Sequence, residues 1–140
     1  MGNGKTLKCR DCGCEKNILF GIGFGAPSLA EELHKDALAG KYGDTWKQIL
    51  EGNKNLRIQV DKALYVCPAC GDHENTETCD IGEDFMFRHD IVREYVHSCN
   101  KCGATMMKCT EKDLEGIPTI RCKECGGEME LSEQKGILWD

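Results

Sequence analysis

The 140-residue sequence is short of the side chains from which an apolar interior is built. Leu, Ile, Val and Phe together number 28, one fifth of the chain, and aromatic residues make up only 6%. At about that fraction a chain stops burying enough surface to offset its conformational entropy, so apolar contacts alone are not expected to hold it together. Proline is also scarce, at three residues, and its scarcity with that of Ser in residues 67–98 argues against a flexible tether there. Apolar runs stop after a few residues, as in Ile18-Leu19-Phe20, far below the roughly 20 needed to span a bilayer. The start, Met-Gly-Asn-Gly-Lys-Thr-Leu-Lys-Cys, lacks the apolar stretch of a secretory signal. A cytoplasmic location is the resulting expectation. Positive charge is in deficit, with 18 Lys and Arg against 24 Asp and Glu for a net charge of −6. The length allows one domain or two very small ones, which excludes a large enzyme scaffold.

Cysteine, in contrast, is abundant: there are 11. In a reducing compartment clustered thiols point to metal ligation before disulfides, and an odd total agrees. Eight of them fall into four copies of one unit: Cys9-Arg-Asp-Cys12-Gly13, Cys67-Pro-Ala-Cys70-Gly71, Cys99-Asn-Lys-Cys102-Gly103 and Cys122-Lys-Glu-Cys125-Gly126. Two intervening residues let both sulfurs of a tight turn face one ion, and the glycine that follows can adopt the left-handed conformation such a turn favours. Each copy is half of a tetrahedral site, so four copies make two closed sites. Four thiolates leave no coordination position for water or substrate, which is the pattern of structural zinc.

Sequence order suggests which halves combine. Only 19 residues separate Cys102 from Cys122, enough for a hairpin, so Cys99, Cys102, Cys122 and Cys125 are expected to form one site. Cys9, Cys12, Cys67 and Cys70 are then left for the other, across a gap of 54 residues that the logarithmic growth of closure entropy makes tolerable. A crossed arrangement, with Cys67 and Cys70 joining Cys99 and Cys102 and the outer two knuckles together, remains open.

These paired knuckles resemble zinc ribbons, in which two C-x-x-C turns at the tips of hairpins grip one zinc. The likeness covers most of residues 7–26 and 60–131, and 97–131 is the more ordinary match. The N-terminal part is similar to a group of uncharacterised small bacterial zinc-ribbon proteins through Phe20-Gly21-Ile22-Gly23-Phe24, Lys41-Tyr42-Gly43 and Leu64-Tyr65-Val66-Cys67. The resemblance implies architecture and no activity. Rubredoxins, which hold iron with two C-x-x-C-G knuckles, are also similar at Cys67-Pro-Ala-Cys70-Gly71, so iron is a possible substitute metal and electron transfer an alternative role.

The expected fold is a small metal-stabilised α+β protein with two zinc ribbons of short antiparallel hairpins, the first carrying a helical insertion. Residues 1–80 form the N-terminal ribbon with an insert at about 27–58, 81–96 an acidic connector with possible strands, 97–131 the C-terminal ribbon and 132–140 a tail. Strands are expected at Leu7–Cys9, Asn17–Phe24 and Ala63–Val66. Ser28-Leu-Ala-Glu31 reads as a capping box, Leu29 and Leu33 share a face, and Gly40 can end that helix. Asp44 can cap a second helix with a Trp46, Ile49 and Leu50 stripe, closed at Gly52. Residues 67–98 carry a net charge of −6. Within them Asp84–Arg88 and Arg93–His97 are candidate strands, with Phe85, Phe87 and Tyr95 as their apolar contacts.

Several functional patterns are weak. Gly21-Ile-Gly23-Phe-Gly25-Ala26 mimics a dinucleotide fingerprint, but no parallel βαβ unit follows. Cys67-Pro-Ala-Cys70 alone could be a thioredoxin-like pair, and its three sister motifs argue otherwise. Cys14, Cys79 and Cys109 read as small buried residues, though with His73 or His97 they could complete a third site. None of the histidines His34, His73, His89 and His97 has the H-x-E or H-E-x-x-H spacing of catalytic zinc, and no nucleophile constellation is visible. Basic residues Lys5, Lys8, Arg10 and Lys16 surround the first knuckle, and Lys101, Lys108, Arg121 and Lys123 the third and fourth. Two zinc ions in four-thiolate sites would take the net charge to roughly −10, a field that disfavours phosphate. The expectation is a non-enzymatic protein with two structural zinc ions that engages another protein in an interaction or regulatory role. Nucleic-acid binding is the alternative.

Overall fold

The structure, a computed structural model, describes residues 2–21, 25–85, 88–110, 117–131 and 137–139. In chain order its elements are β1 (Gly2–Cys9), β2 (Glu15–Gly21), α1 (Ala26–Leu38), α2 (Asp44–Gly52), β3 (Leu56–Gln59), β4 (Lys62–Val66), β5 (His73–Glu77), β6 (Asp80–Phe85), β7 (Arg88–Glu94), β8 (Met107–Cys109), β9 (Ile120–Arg121), β10 (Glu128–Leu131) and β11 (Ile137–Trp139). They fall into two compact units. One comprises Met1–Gly23, Lys62–Glu77 and Val96–Asp140, the other Phe24–Asp61 and Thr78–Tyr95.

All four knuckles belong to the first unit. Its antiparallel sheet runs β5-β4-β2-β1-β10-β9, with β8 also paired to β4 and β11 to β1. The hairpin of β1 and β2, from Lys8↔Glu15 to Gly2↔Gly21, carries the first knuckle at its tip. On the other side of β1 lies β10, with Leu7↔Leu131 and Cys9↔Met129, so strands far apart in the sequence lie side by side. β4 is flanked by β5 and β8. Period-two alternation buries β4 on both faces: Leu64 and Val66 join Leu7, Ile18, Phe20 and Ile120 in one cluster, while Ala63 and Tyr65 join Cys67, Cys99 and Met106 in another. β2 and β4 pair only at Gly21↔Lys62. Asn75 reinforces that thin seam, since its side-chain amide donates to the carbonyls of Leu19 and Ala63 at 2.9 Å and accepts from the Leu19 N–H at 2.8 Å.

In the second unit α1 and α2 cover a three-stranded sheet, β3-β6-β7. Leu56, Ile58, Val60 and Ile81 are buried against Ala37, Trp46 and Leu50, with Leu29, Leu33 and Ile49 half-buried at the margin. Tyr42, Trp46 and Tyr95 form an aromatic cluster with ring centroids 5.3–6.2 Å apart.

This organisation corrects the linear partition. The helices share a compact unit with β3, β6 and β7, and most of residues 81–96 belong to that unit: β6 pairs with β3 from Leu56↔Glu83 to Gln59↔Asp80, which buries Ile81 with the helices. The second connector strand spans Arg88–Glu94 in place of 93–97. The capping box is not used, because α1 starts at Ala26 after Gly25, with Pro27 in its first turn and no side-chain cap. α2 likewise follows Gly43, with Asp44 as its first residue. Phe24 and Phe87 lie outside the described residues, as do 132–136 of the tail, whereas β11 pairs with β1. Among the described residues no helix is long and apolar enough to cross a membrane.

Candidate metal centres

The four C-x-x-C-G turns are built alike. In each, the first cysteine's N–H donates to the carbonyl five residues on and its carbonyl accepts from the glycine N–H. These pairs are Cys9/Cys14 with Gly13, Cys67/Asp72 with Gly71, Cys99/Ala104 with Gly103 and Cys122/Gly127 with Gly126, at 2.8–3.1 Å. The four glycines sit at φ +73° to +79°, so the repeated glycine answers a backbone requirement. Backbone amides also turn toward sulfur: Glu124 N–H donates to Cys122 Sγ and Gly127 N–H to Cys125 Sγ, both at 3.4 Å. Such donors stabilise thiolate over thiol.

Sulfur atoms converge in two groups of four, Cys9, Cys12, Cys122 and Cys125, and Cys67, Cys70, Cys99 and Cys102. The sequential assignment is therefore corrected: Cys9/Cys12 share a cluster with Cys122/Cys125 and not with Cys67/Cys70, and Cys99/Cys102 complete the inner group. The crossed arrangement is the one the chain adopts. Its spans of 28 and 109 residues replace 54 and 19, at an added closure cost of about 1 kcal/mol. Pairing of β1 with β10 outweighs so small a difference.

The distances suit a tetrahedral ion. Cys9 and Cys125 sulfurs are 3.4 Å apart, Cys12 and Cys122 3.7 Å, Cys67 and Cys102 3.4 Å, and Cys70 and Cys99 3.5 Å. All sulfurs within a group lie within 4.8 Å of one another. A metal–sulfur bond of about 2.3 Å in tetrahedral geometry places sulfurs about 3.8 Å apart. A disulfide needs about 2.05 Å, and all 11 cysteines are free. In each group two sulfurs come from buried cysteines and two from exposed or half-buried ones. The donor set and spacing therefore fit a metal, with Cys9, Cys12, Cys122 and Cys125 to hold one ion and Cys67, Cys70, Cys99 and Cys102 another.

Thiol electrostatics favour a cation at each centre. The Cys67 thiol is drawn down to about 6, chiefly by the Cys70 backbone N–H, and Cys9 to about 7, chiefly by that of Cys12. Cys70 rises to about 12: the Asp72 N–H pulls it down, but burial and the neighbouring sulfurs outweigh that. Cys125 also rises to about 12, as the sulfurs of Cys9 and Cys12 oppose the Gly127 N–H. One proton leaves such a cluster easily and the next resists, unless a divalent ion compensates the charge.

The remaining cysteines and histidines do not join a third group among the described residues. Cys14 is half-buried beside the outer cluster, its thiol pushed up mainly by burial. Cys109 is fully buried in β8. Cys79 lies in the helical unit, raised to about 11 mainly by burial, and its thiol faces Tyr42. His97 stacks on Tyr65 with ring centroids 4.0 Å apart. His73 is 1% exposed, has no hydrogen-bond partner on either ring nitrogen and is held near pKa 4, first by burial and then by Lys16 and Lys123.

Three of the basic residues around the knuckles face carboxylates. Lys8 pairs with Glu15 at 4.0 Å, Arg10 with Glu130 at 2.9 Å and Lys123 with Asp72 at 3.7 Å. Asn75 and the Thr119–Arg121 segment support the site but carried no motif in the sequence. Arg121 N–H donates to the Gly71 carbonyl at 2.8 Å and ties β9 to the inner knuckle. A strand-register argument that paired β1 with β10 would have exposed this link. No family model, curated protein or solved structure matches the chain.

Proposed function

We propose that this is a non-enzymatic zinc protein in which two closed four-cysteine centres hold nested ribbons in shape, and the surfaces around them dock another protein. The observation that carries the reading is the convergence of eight thiols into two tetrahedrally spaced fours that leave an ion no open position. Zinc supplies folding free energy here, on the order of 10 kcal/mol per site, which offsets the shortage of large apolar residues. Zinc is favoured over iron because closed four-thiolate coordination is the pattern of structural zinc and the chain is poor in aromatic residues, at 6%.

Protein docking is favoured over nucleic acid by charge. The net −6 becomes roughly −10 with both centres filled, and the rim cations Lys8, Arg10 and Lys123 already face carboxylates. Elemental analysis with thiol titration tests the metal: two zinc ions per chain are expected, with Cys14 the one thiol outside the clusters open to alkylation in the folded protein, since Cys79 and Cys109 are buried. A visible iron–thiolate band that persists when zinc is supplied in excess would point to electron transfer instead. DNA or RNA binding with a steep inverse dependence on salt would overturn the docking reading.

A further inference from the structure

Both four-cysteine centres lie in the first unit, and they are built on shared parts. β4 serves both. Leu64 and Val66 on one of its faces pack in a cluster with the outer ligands Cys9 and Cys122, and Ala63 and Tyr65 on the other pack with the inner ligands Cys67 and Cys99. A second link joins knuckle to knuckle. Arg121, which precedes the outer ligand Cys122, donates its N–H at 2.8 Å to the carbonyl of Gly71, which follows the inner ligand Cys70. Lys123, on the far side of Cys122, meets the Asp72 carboxylate at 3.7 Å. The backbones are so close that a Cβ on Gly71 would lie 3.0 Å from the Thr119 carbonyl oxygen. Backbone that fixes the ligands of one centre therefore also fixes those of the other.

We propose that β4 and the Gly71–Arg121 link couple the two centres, so that filling either raises the zinc affinity of the other at least about tenfold. The chain then fills both over a narrow range of free zinc. This inference rests on the zinc reading above and adds its regulation. A site that the unfolded chain lacks must order the segments carrying its ligands before it binds. Leu, Ile, Val and Phe are only one fifth of the chain, so apolar packing leaves much of that ordering to the centres. Once one centre is filled, β4 and the link are already in place, and the free energy not spent on ordering them appears as affinity at the other. Linkage makes the effect reciprocal. Each filled centre carries −2, so repulsion alone would give coupling of the opposite sign, and the sign of the measured coupling separates the two effects.

The test is a binding cycle on the full chain, reduced and zinc-depleted, titrated with zinc against a competing chelator of known affinity. The two-ion constant of the unaltered chain is divided by the product of two one-ion constants. One comes from Cys9→Ser/Cys122→Ser, which leaves the inner centre, and the other from Cys67→Ser/Cys99→Ser, which leaves the outer. The quotient is the coupling, whatever the relative affinities of the centres, and a variant that folds only with its ion still has a measurable constant. A quotient of about ten or more is expected, and one below unity or within about threefold of it would overturn the proposal. Repeating the cycle in Gly71→Ala should return at most about a third of that coupling. Gly103→Ala, strained alike at a knuckle where a Cβ meets nothing within 4 Å, should leave it unchanged. Equal coupling in the two alanine backgrounds would overturn the assigned route. Fewer than two zinc ions on the unaltered chain removes the zinc reading itself, whereas two ions with a quotient near one removes only the coupling.

Discussion

Replacing Gly71 by alanine probes the contact between the inner knuckle and the Thr119–Arg121 segment, because three sister positions provide internal controls. Gly13, Gly103 and Gly126 share its left-handed conformation, and a Cβ at any of them meets nothing within 4 Å. Alanine there costs about 1–2 kcal/mol in backbone strain, partly offset by about 0.4–1 kcal/mol of lost unfolded-state entropy. The net is on the order of 1 kcal/mol. At Gly71 the new Cβ would lie 2.5 Å from Arg121 Cγ and 3.0 Å from the Thr119 carbonyl oxygen. The arginine side chain can move aside, but the carbonyl is backbone, and the 2.8 Å bond from Arg121 N–H to Gly71 O would be strained with it. Overpacking of that kind adds about 1–3 kcal/mol, so Gly71→Ala is expected to cost about 2–4 kcal/mol in all. The assay is denaturant unfolding of the four alanine variants at one buffered free-zinc concentration, since bound metal shifts apparent stability by mass action. A Gly71→Ala penalty within about 0.5 kcal/mol of the other three would refute the contact between the inner knuckle and the Thr119–Arg121 segment.

Three further expectations concern pairing, acid and the seam. The double variant Cys9→Ser/Cys122→Ser should lose one metal ion and Cys9→Ser/Cys67→Ser both, as read by native mass spectrometry; the reverse result would restore sequential pairing. His73 is held at about 4 in the folded protein against 6.5 as its ordinary value, so the unfolded chain binds the extra proton. Its contribution is fully present above pH 6.5 and is lost as pH falls through 4, by roughly 2–3 kcal/mol. A His73→Leu variant should therefore show a shallower acid limb at fixed zinc occupancy, and an unchanged limb would count against a buried neutral imidazole. Asn75→Leu removes three hydrogen bonds at the β2–β4 seam and should destabilise by about 2–3 kcal/mol. Equal hydrogen-exchange rates at Leu19 in both proteins would contradict that role.

The local chemistry of the candidate site was legible in the residues. Four repeats of C-x-x-C-G announce eight ligands, and each glycine is explained by its own turn. The strands leading into the knuckles and the two helices were legible for the same reason, since alternation and apolar spacing act over a few residues. Ser28 misled because its capping box competes with Pro27, which suits the first turn of a helix begun at Ala26. The apparent connector misled because its acidity outshone Ile81, the residue that anchors β6 to the helical unit.

By itself, then, the sequence determined that this chain carries two four-thiol centres in tight glycine-closed turns, because a turn's geometry depends on neighbours in the chain. Which knuckles share a centre was decided only by tertiary structure. Loop closure separates the two pairings by about 1 kcal/mol, so the choice passed to contacts between residues more than 100 positions apart, those of Leu7 and Cys9 with Leu131 and Met129.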